Sequence, residues 1–297
     1  MGNELAEPFA DLAEAFSLTA EKYDRFAQDH PNLARMRGKV YAHLTRWLPP
    51  GAHILELNAG TGTDAVYLAQ QGFRVHATDI APGMLGRLQK KVAELGLEEL
   101  VSCERHSFTE LDRVKGGPFD AVFSNLGGLN CIPDLRLVAR HLPCVLRPGG
   151  LVTWVIMPPV CPWELALAFS GDFRLAFRRL RPGGTRAHLE GKYFMVYYYT
   201  PGQVREALGS EFELLDVEGL SIFAPPAESK NLARRHRRLY KLLCALDERL
   251  ARATLLRGMG DFFIISMRYR PARSTKGNGV NLEEKPDPSL VEKDLGS

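Results

Sequence analysis

The sequence predicts an α/β fold: a doubly wound, mostly parallel seven-stranded sheet with a closing antiparallel hairpin, plus a helical and aromatic lid insertion. Two observations carry this prediction. Short apolar runs ending in polar or turn-forming residues recur at strand-then-helix pace over residues 54–57, 73–78, 100–106, 119–124 and 150–156. Two more strand-like runs, 211–217 and 260–269, follow late in the chain.

Taken in order, residues 4–48 read as helices, with Met36, Val40, Leu44 and Leu48 on one stripe at helical spacing. The first strand then runs into a tight glycine turn, Asn58, Ala59, Gly60, Thr61, Gly62, and a helix. Gly60 and Gly62 permit backbone angles closed to other residues, and the helix start presents unpaired N–H groups to a ligand. With Ala65 the turn reads G-x-G-x-x-A, a pattern that nicotinamide and flavin enzymes also use. Charge separates the readings. Glu56 at the strand end and Asp64 in the first helical turn would repel a pyrophosphate. S-adenosylmethionine instead brings an ammonium and a sulfonium beside its carboxylate, so these acids favour it on Coulombic grounds. The structural alternatives are a solvated strand-end acid at Glu56 and a dipole-stabilised helix acid at Asp64.

The next strand ends at Asp79, seventeen residues after Gly62, where an acid can take both ribose hydroxyls. Pro82 opens a helix running to about Leu95. The third strand ends at Ser107 and Phe108, and the fourth at Asn125, Leu126 and two glycines. Ligands of open α/β sheets bind beyond the carboxyl ends of the strands, so four consecutive ends point to one site.

On these residues the chain resembles a class I, Rossmann-like S-adenosylmethionine-dependent methyltransferase of the small-molecule type. The resemblance covers roughly residues 20–156 by motif and 200–270 by layout. It implies that Glu56 through Gly62 hold the methionine part of the cofactor and that Asp79 binds the ribose. Ile80 and Met84 flank the adenine, Ser107 and Phe108 stand where the family places its adenine-contacting pair, and Asn125 and Leu126 line the methyl-donor side. Tyr23 resembles the N-terminal tyrosine that many members fold over the cofactor. Two positions depart from the family pattern: Asn58 and Ala59 replace the usual Gly or Cys residues, and Ser107 stands where Asp is commoner.

After the fifth strand, residues 157–200 read as the lid: an amphipathic stretch over 164–180, then an alternating strand over 192–199. That alternation places Tyr193, Met195, Tyr197 and Tyr199 on one face and Phe194, Val196 and Tyr198 on the other. Trp163, Tyr193, Tyr197 and Tyr199 are the expected acceptor contacts, and the aromatic content points to a hydrophobic, phenolic or lipid-like acceptor. A basic amphipathic helix over 229–253 carries Leu239, Leu243, Leu246, Leu250 and Ala253 on one stripe and Arg234, Arg235, Arg237, Arg238 and Lys241 in its first half. It reads as a helix packed on the sheet, and peripheral membrane contact stays open as a second reading. Residues 271–297, rich in Pro, Gly, Glu and Lys, are expected to be disordered. The expected division is a helical cover over 1–48, a catalytic domain over 49–270 and the tail.

Composition fits a cytoplasmic enzyme. No apolar run approaches a membrane span of about 20 residues, and no signal-peptide pattern opens the chain. Five cysteines without paired spacing indicate neither disulfides nor a zinc site, so no metal is expected. A net charge of +3 is too small to argue for nucleic acid, and no nucleic-acid partner is expected. The expected reaction is in-line displacement of the sulfonium methyl by an acceptor O, N or C atom, giving S-adenosylhomocysteine. His30, His106 and His188 stay open as general bases, and no catalytic residue is assigned. A nicotinamide oxidoreductase and a non-catalytic scaffold docking by its basic helix are the alternatives, and monomer and homodimer are both open.

Overall fold

The computed structural model describes residues 7–27, 30–227 and 229–271. The expected disordered tail therefore lies outside the described residues, apart from Pro271. Helices α1 (Glu7–Ala27) and α2 (Pro31–Thr45) come first. Pro31 opens α2 with its fixed φ, and the His30 ring caps it by accepting from Leu33 N. There follow β1 (His53–Leu57), α3 (Thr63–Gln70), β2 (Arg74–Asp79), α4 (Pro82–Glu94), β3 (Val101–Arg105) and β4 (Phe119–Ser124). Two short helices, α5 (Arg136–Ala139) and α6 (Leu142–Val145), lead into β5 (Leu146–Ile156). The insertion holds α7 (Pro162–Leu165), α8 (Phe173–Ala176), β6 (Thr185–Leu189) and β7 (Lys192–Val196). The chain closes with α9 (Pro201–Leu208), β8 (Phe212–Leu220), α10 (Lys230–Arg235), α11 (Arg237–Leu250) and β9 (Phe262–Tyr269).

The seven-stranded sheet has the order β3-β2-β1-β4-β5-β9-β8. Its first five strands are parallel, and β9 runs antiparallel to both β5 and β8, as the sequence predicts. Strand order reverses between β1 and β4, which register Leu57 against Ser124 and so bring Asn58 beside Asn125. Both faces of the sheet are covered. Leu55, Leu57, Val122, Trp154 and Phe263 point into one apolar layer, while Ile54, Ala121, Phe123, Val155 and Ile264 point into the other. The stripe of α2 packs into the second layer: Met36, Val40 and Leu44 are fully buried, each worth roughly 1.5–3 kcal/mol relative to exposure.

Three expectations are corrected. The amphipathic stretch over 164–180 is not one helix, because Gly171 adopts a left-handed conformation and breaks it into single turns. The aromatic strand stops at Val196 and pairs only with β6, forming a separate hairpin. The basic helix breaks at His236 into α10 and α11, and Leu239 and Leu250 of its stripe are exposed.

A polar cluster ties α2 to the closing hairpin. His43 donates to Glu218 at 3.1 Å, Lys39 and Arg252 lie 3.1 and 2.8 Å from the same carboxylate, and Arg46 and Arg252 pair with Asp216. His43, Asp216 and Glu218 lie close enough to hold a metal ion, but the three cations already neutralise both carboxylates. Burial alone would raise the Glu218 carboxyl; the His43 hydrogen bond, Lys39 and Arg252 overcome it and hold it down at about 2. A depressed carboxyl contributes stability above its unfolded value, and that contribution is lost as pH falls through the folded value. Thermal unfolding of the wild type should therefore show a loss of stability from about pH 4.5 toward 2 that is flatter in Glu218→Gln. Parallel curves for the two proteins would remove Glu218 from this account.

Candidate cofactor and acceptor site

One cavity lies at the carboxyl ends of β1, β2, β4 and β5, at the point where strand order reverses. Its polar wall comes from Asn58, Ala59, Gly60, Asp64, Asp79 and Asn125, and its cover from Leu12, Phe16 and Tyr23 of α1. Phe194 and Val196 of β7 and Met157 after β5 close the remaining side.

Asp79 is the fixed point of this wall. Gly60 N donates to its Oδ2 and Ala81 N to its Oδ1, each at 2.8 Å. Both oxygens are thereby oriented while keeping lone pairs for incoming hydroxyls. Burial pushes the carboxyl above its ordinary value, opposed by the backbone N–H groups of Ala81, Gly60 and Ile80.

Gly62 stands behind the wall with φ +79°. A Cβ there would lie 2.4 Å from Leu88 Cγ, so packing of the glycine turn against α4 requires glycine. Glu56 is also behind the wall, fully buried, and its Oε2 has no hydrogen-bond partner among the described residues. Burial and then the charge of Asp64 push the Glu56 carboxyl well above its ordinary value, with Arg37 opposing.

Asp64 is not the bare acid the sequence implies. Its Oδ1 accepts from Arg37 Nε at 3.0 Å and from Tyr41 OH at 2.5 Å, and its Oδ2 accepts from Asn125 Nδ2 at 2.9 Å. The pair neutralises Asp64 and sets a guanidinium in the cavity wall beside Tyr23, whose hydroxyl pKa is raised by burial. An acid and a guanidinium thus stand side by side in the cavity wall.

The strand ends are held in unusual backbone. Asn58 and Leu126 have φ of +55° and +43°, a region rarely adopted by leucine. Leu126 N donates to Asn125 Oδ1 at 2.8 Å, and Asn58 Nδ2 donates to Ser124 Oγ at 3.0 Å, which fixes both turns across the β1–β4 junction. Over the site, Asp24 of α1 accepts from Thr61 Oγ1, Lys91 and Arg87 at 2.5, 2.6 and 3.2 Å. This cluster pins the helical cover to the glycine turn and to α4.

Of the residues singled out by sequence, Tyr23, Asn58, Ala59, Gly60, Asp64, Asp79, Ile80, Met84, Phe108, Asn125 and Leu126 line the cavity. Glu56, Gly62 and Ser107 do not; the Ser107 hydroxyl accepts from Thr109 N and caps the turn that follows. Trp163 is also outside, donating to Phe223 O. Tyr193 is exposed, Tyr197 is half-buried against the core, and Tyr199 is buried with its hydroxyl on Ile132 O. The hairpin presents its other face, Phe194 and Val196, to the cavity. Arg37, Met157, Phe194 and Val196 are among the wall residues that sequence reading missed. For Arg37 a signal existed, since it directly follows Met36 of the buried stripe and stands four residues before Tyr41.

A parallel sheet closed by an antiparallel pair, with a buried acid beside a glycine turn at its switch point, defines a nucleotide-cofactor fold of the methyltransferase type. Comparison with known proteins agrees. A family profile described as "Methyltransferase domain" matches residues 54–150. The chain is 29% identical over 214 residues to a malonyl-[acyl-carrier protein] O-methyltransferase of Halorhodospira halophila, covering 66% of this chain and 69% of that one. It is 30% identical over 201 residues to a ubiquinone biosynthesis O-methyltransferase of Xanthomonas campestris, covering 66% and 77%. Two solved structures share the fold at 17% identity. One is a putative S-adenosylmethionine-dependent methyltransferase from Listeria monocytogenes, with TM-score 0.55 and coverage of 80% and 99%. The other is the 1,6-didemethyltoxoflavin-N1-methyltransferase of Burkholderia thailandensis, with TM-score 0.53 and coverage of 89% and 90%. The chain belongs to the S-adenosylmethionine-dependent methyltransferases, and S-adenosylmethionine is its cofactor.

Proposed function

We propose that the enzyme methylates a small, apolar or aromatic acceptor whose reacting atom is nucleophilic without help from a protein base. The observation that carries this reading is the composition of the cavity. Its far side is Leu12, Phe16, Cys131, Met157, Phe194 and Val196, and no histidine or lysine is among the described lining residues. The titratable groups there do not serve as bases. Burial raises Tyr23 and pushes the Cys131 thiol up to about 12, and Asp64 is already engaged by three donors. His30 and His106 are tied to Leu33 N and Glu110 O, and His188 packs tilted against the Tyr193 ring, 4.6 Å between centroids.

In this reading Asp79 holds the ribose hydroxyls, Ile80, Met84 and Phe108 flank the adenine, and Arg37 meets the carboxylate. When bound, S-adenosylmethionine supplies the electrophilic methyl group. The protein's contribution is to align the acceptor with that methyl and to exclude water with α1 and the β6–β7 hairpin. The names of the relatives from Halorhodospira and Xanthomonas both describe O-methylation, which supports an oxygen acceptor, a carboxylate or a phenol, as the first class to test.

The test is a screen for S-adenosylhomocysteine formation with hydrophobic carboxylates, phenols, amines and a structured RNA. Turnover with a phenol or carboxylate supports the proposal, whereas turnover with RNA alone overturns it. With the acceptor in hand, Phe194→Ala should raise its KM about tenfold through lost apolar contact. S-adenosylmethionine affinity should stay unchanged, and Tyr193→Ala should alter neither. Equal effects of the two substitutions would show that the hairpin face has been misassigned.

A further inference from the structure

β8 and β9 are neighbours in the sheet, yet the chain between them carries α10 and α11 rather than a tight turn. The leucine spacing of α11 reads as a core-facing stripe, but the structure turns its ends outward and leaves Leu243 and Leu246 half-buried. Leu239 is 45% exposed, Leu242 57% and Leu250 36%, while the fully buried residue of the helix is Asp247. Asp247 Oδ2 accepts from Arg35 at 2.6 Å, and its Oδ1 accepts from Ile222 N and Phe223 N at 3.1 and 2.7 Å. A polar lock therefore holds α11 in place and leaves Leu239, Leu242 and Leu250 exposed. Exposed apolar rows of this kind mark interaction surfaces.

The surroundings of the row say what it meets. Arg234, Arg235, Arg237, Arg238, Lys241 and Arg249 are exposed and make no ion pair among the described residues. From Lys230 to Arg257 the only acids are Asp247, which is buried, and Glu248. Beyond the helix, Leu255 is 83% exposed and borders a cleft holding Arg205 and Arg257, again without ion pairs among the described residues. Leucines flanked by unpaired arginines fit a bilayer boundary, where apolar side chains enter the acyl region and guanidinium groups stay at the phosphates.

We propose that α10 and α11 form a docking surface for an anionic lipid bilayer. A second copy of the chain fits less well, because pairing the leucine rows would bring the two arginine rows together. A protein partner also fits less well, because leucine is under-represented among the residues that carry protein–protein affinity. Among the described residues no helix is long and apolar enough to cross a membrane, so the contact is peripheral. The inference does not depend on the identity of the methyl acceptor.

The test is co-sedimentation of the full chain with vesicles of phosphatidylglycerol and phosphatidylcholine in equal parts, and with phosphatidylcholine alone. Binding is expected to the anionic vesicles only and should weaken as salt shortens the Debye length. The triple variant Arg237→Gln, Arg238→Gln, Lys241→Gln should bind roughly fivefold more weakly per charge removed. The pair Leu239→Gln, Leu242→Gln should bind about tenfold more weakly, with S-adenosylmethionine affinity and melting temperature unchanged. If the pair melts early, Leu255→Gln, outside the helix, repeats the test. The proposal is overturned by any of three results: absence of anionic-vesicle binding at low salt, binding indifferent to the leucines, or a solution dimer that the leucine pair abolishes.

Discussion

Asp79→Ala is expected to weaken S-adenosylmethionine binding by roughly two to four powers of ten. Two charge-assisted hydrogen bonds to the ribose would be lost, each worth about 1.5–3 kcal/mol. The substitution also removes the acceptor of Gly60 N and Ala81 N, so the glycine turn loses the group that sets its shape. Asp79→Asn separates the two effects. Its amide keeps one oxygen acceptor and similar volume, so it should retain part of the affinity while losing the ionic share. Calorimetric titration with S-adenosylmethionine and S-adenosylhomocysteine reads both variants. Affinity equal to wild type in Asp79→Ala would place the ribose elsewhere and remove the anchor of the proposed cofactor pose.

Asp79 was legible in the sequence because strand ends announce themselves. A buried parallel strand must end where its backbone meets a polar or turn residue, and the interval from Gly62 to Asp79 is the length of one helix and one strand. The same logic located β1 to β5 and the closing pair. Periodicity alone could not choose between two apolar faces. In β7 both faces are aromatic or aliphatic, so alternation was visible, but its inward side was not; the hydrogen bond from Tyr197 N to Asn130 O then ends the alternation early. In α11 the leucine row was equally visible, and only the three-dimensional contacts of Asp247 reveal that its ends, Leu239 and Leu250, are exposed. The ion pair of Asp64 was hidden for a different reason. Its partner sits twenty-seven residues upstream on another helix, and no local pattern links them.

That ion pair leads to the second large effect. Arg37→Met should destabilise the fold by about 3–5 kcal/mol, because Asp64 would lose its cation while its surroundings stay buried. Glu56, next to it and already pushed up by burial, would lose the one group that draws its carboxyl down. The sign of the pH dependence follows. A carboxyl raised in the folded state binds its proton more tightly there, so its favourable contribution is complete below the unfolded value near 4.5 and disappears as pH rises through the folded value. The stability deficit of Arg37→Met relative to wild type should therefore narrow as pH is lowered toward 4.5 and widen toward neutrality. Thermal unfolding across that range measures it, with Arg37→Lys as the variant that restores charge but not the Nε contact. A deficit that is constant with pH would mean that lost packing, and not the buried acids, sets the cost. S-adenosylmethionine affinity measured on the same proteins then tests Arg37 separately as the carboxylate partner, since Arg37→Lys should recover more stability than binding.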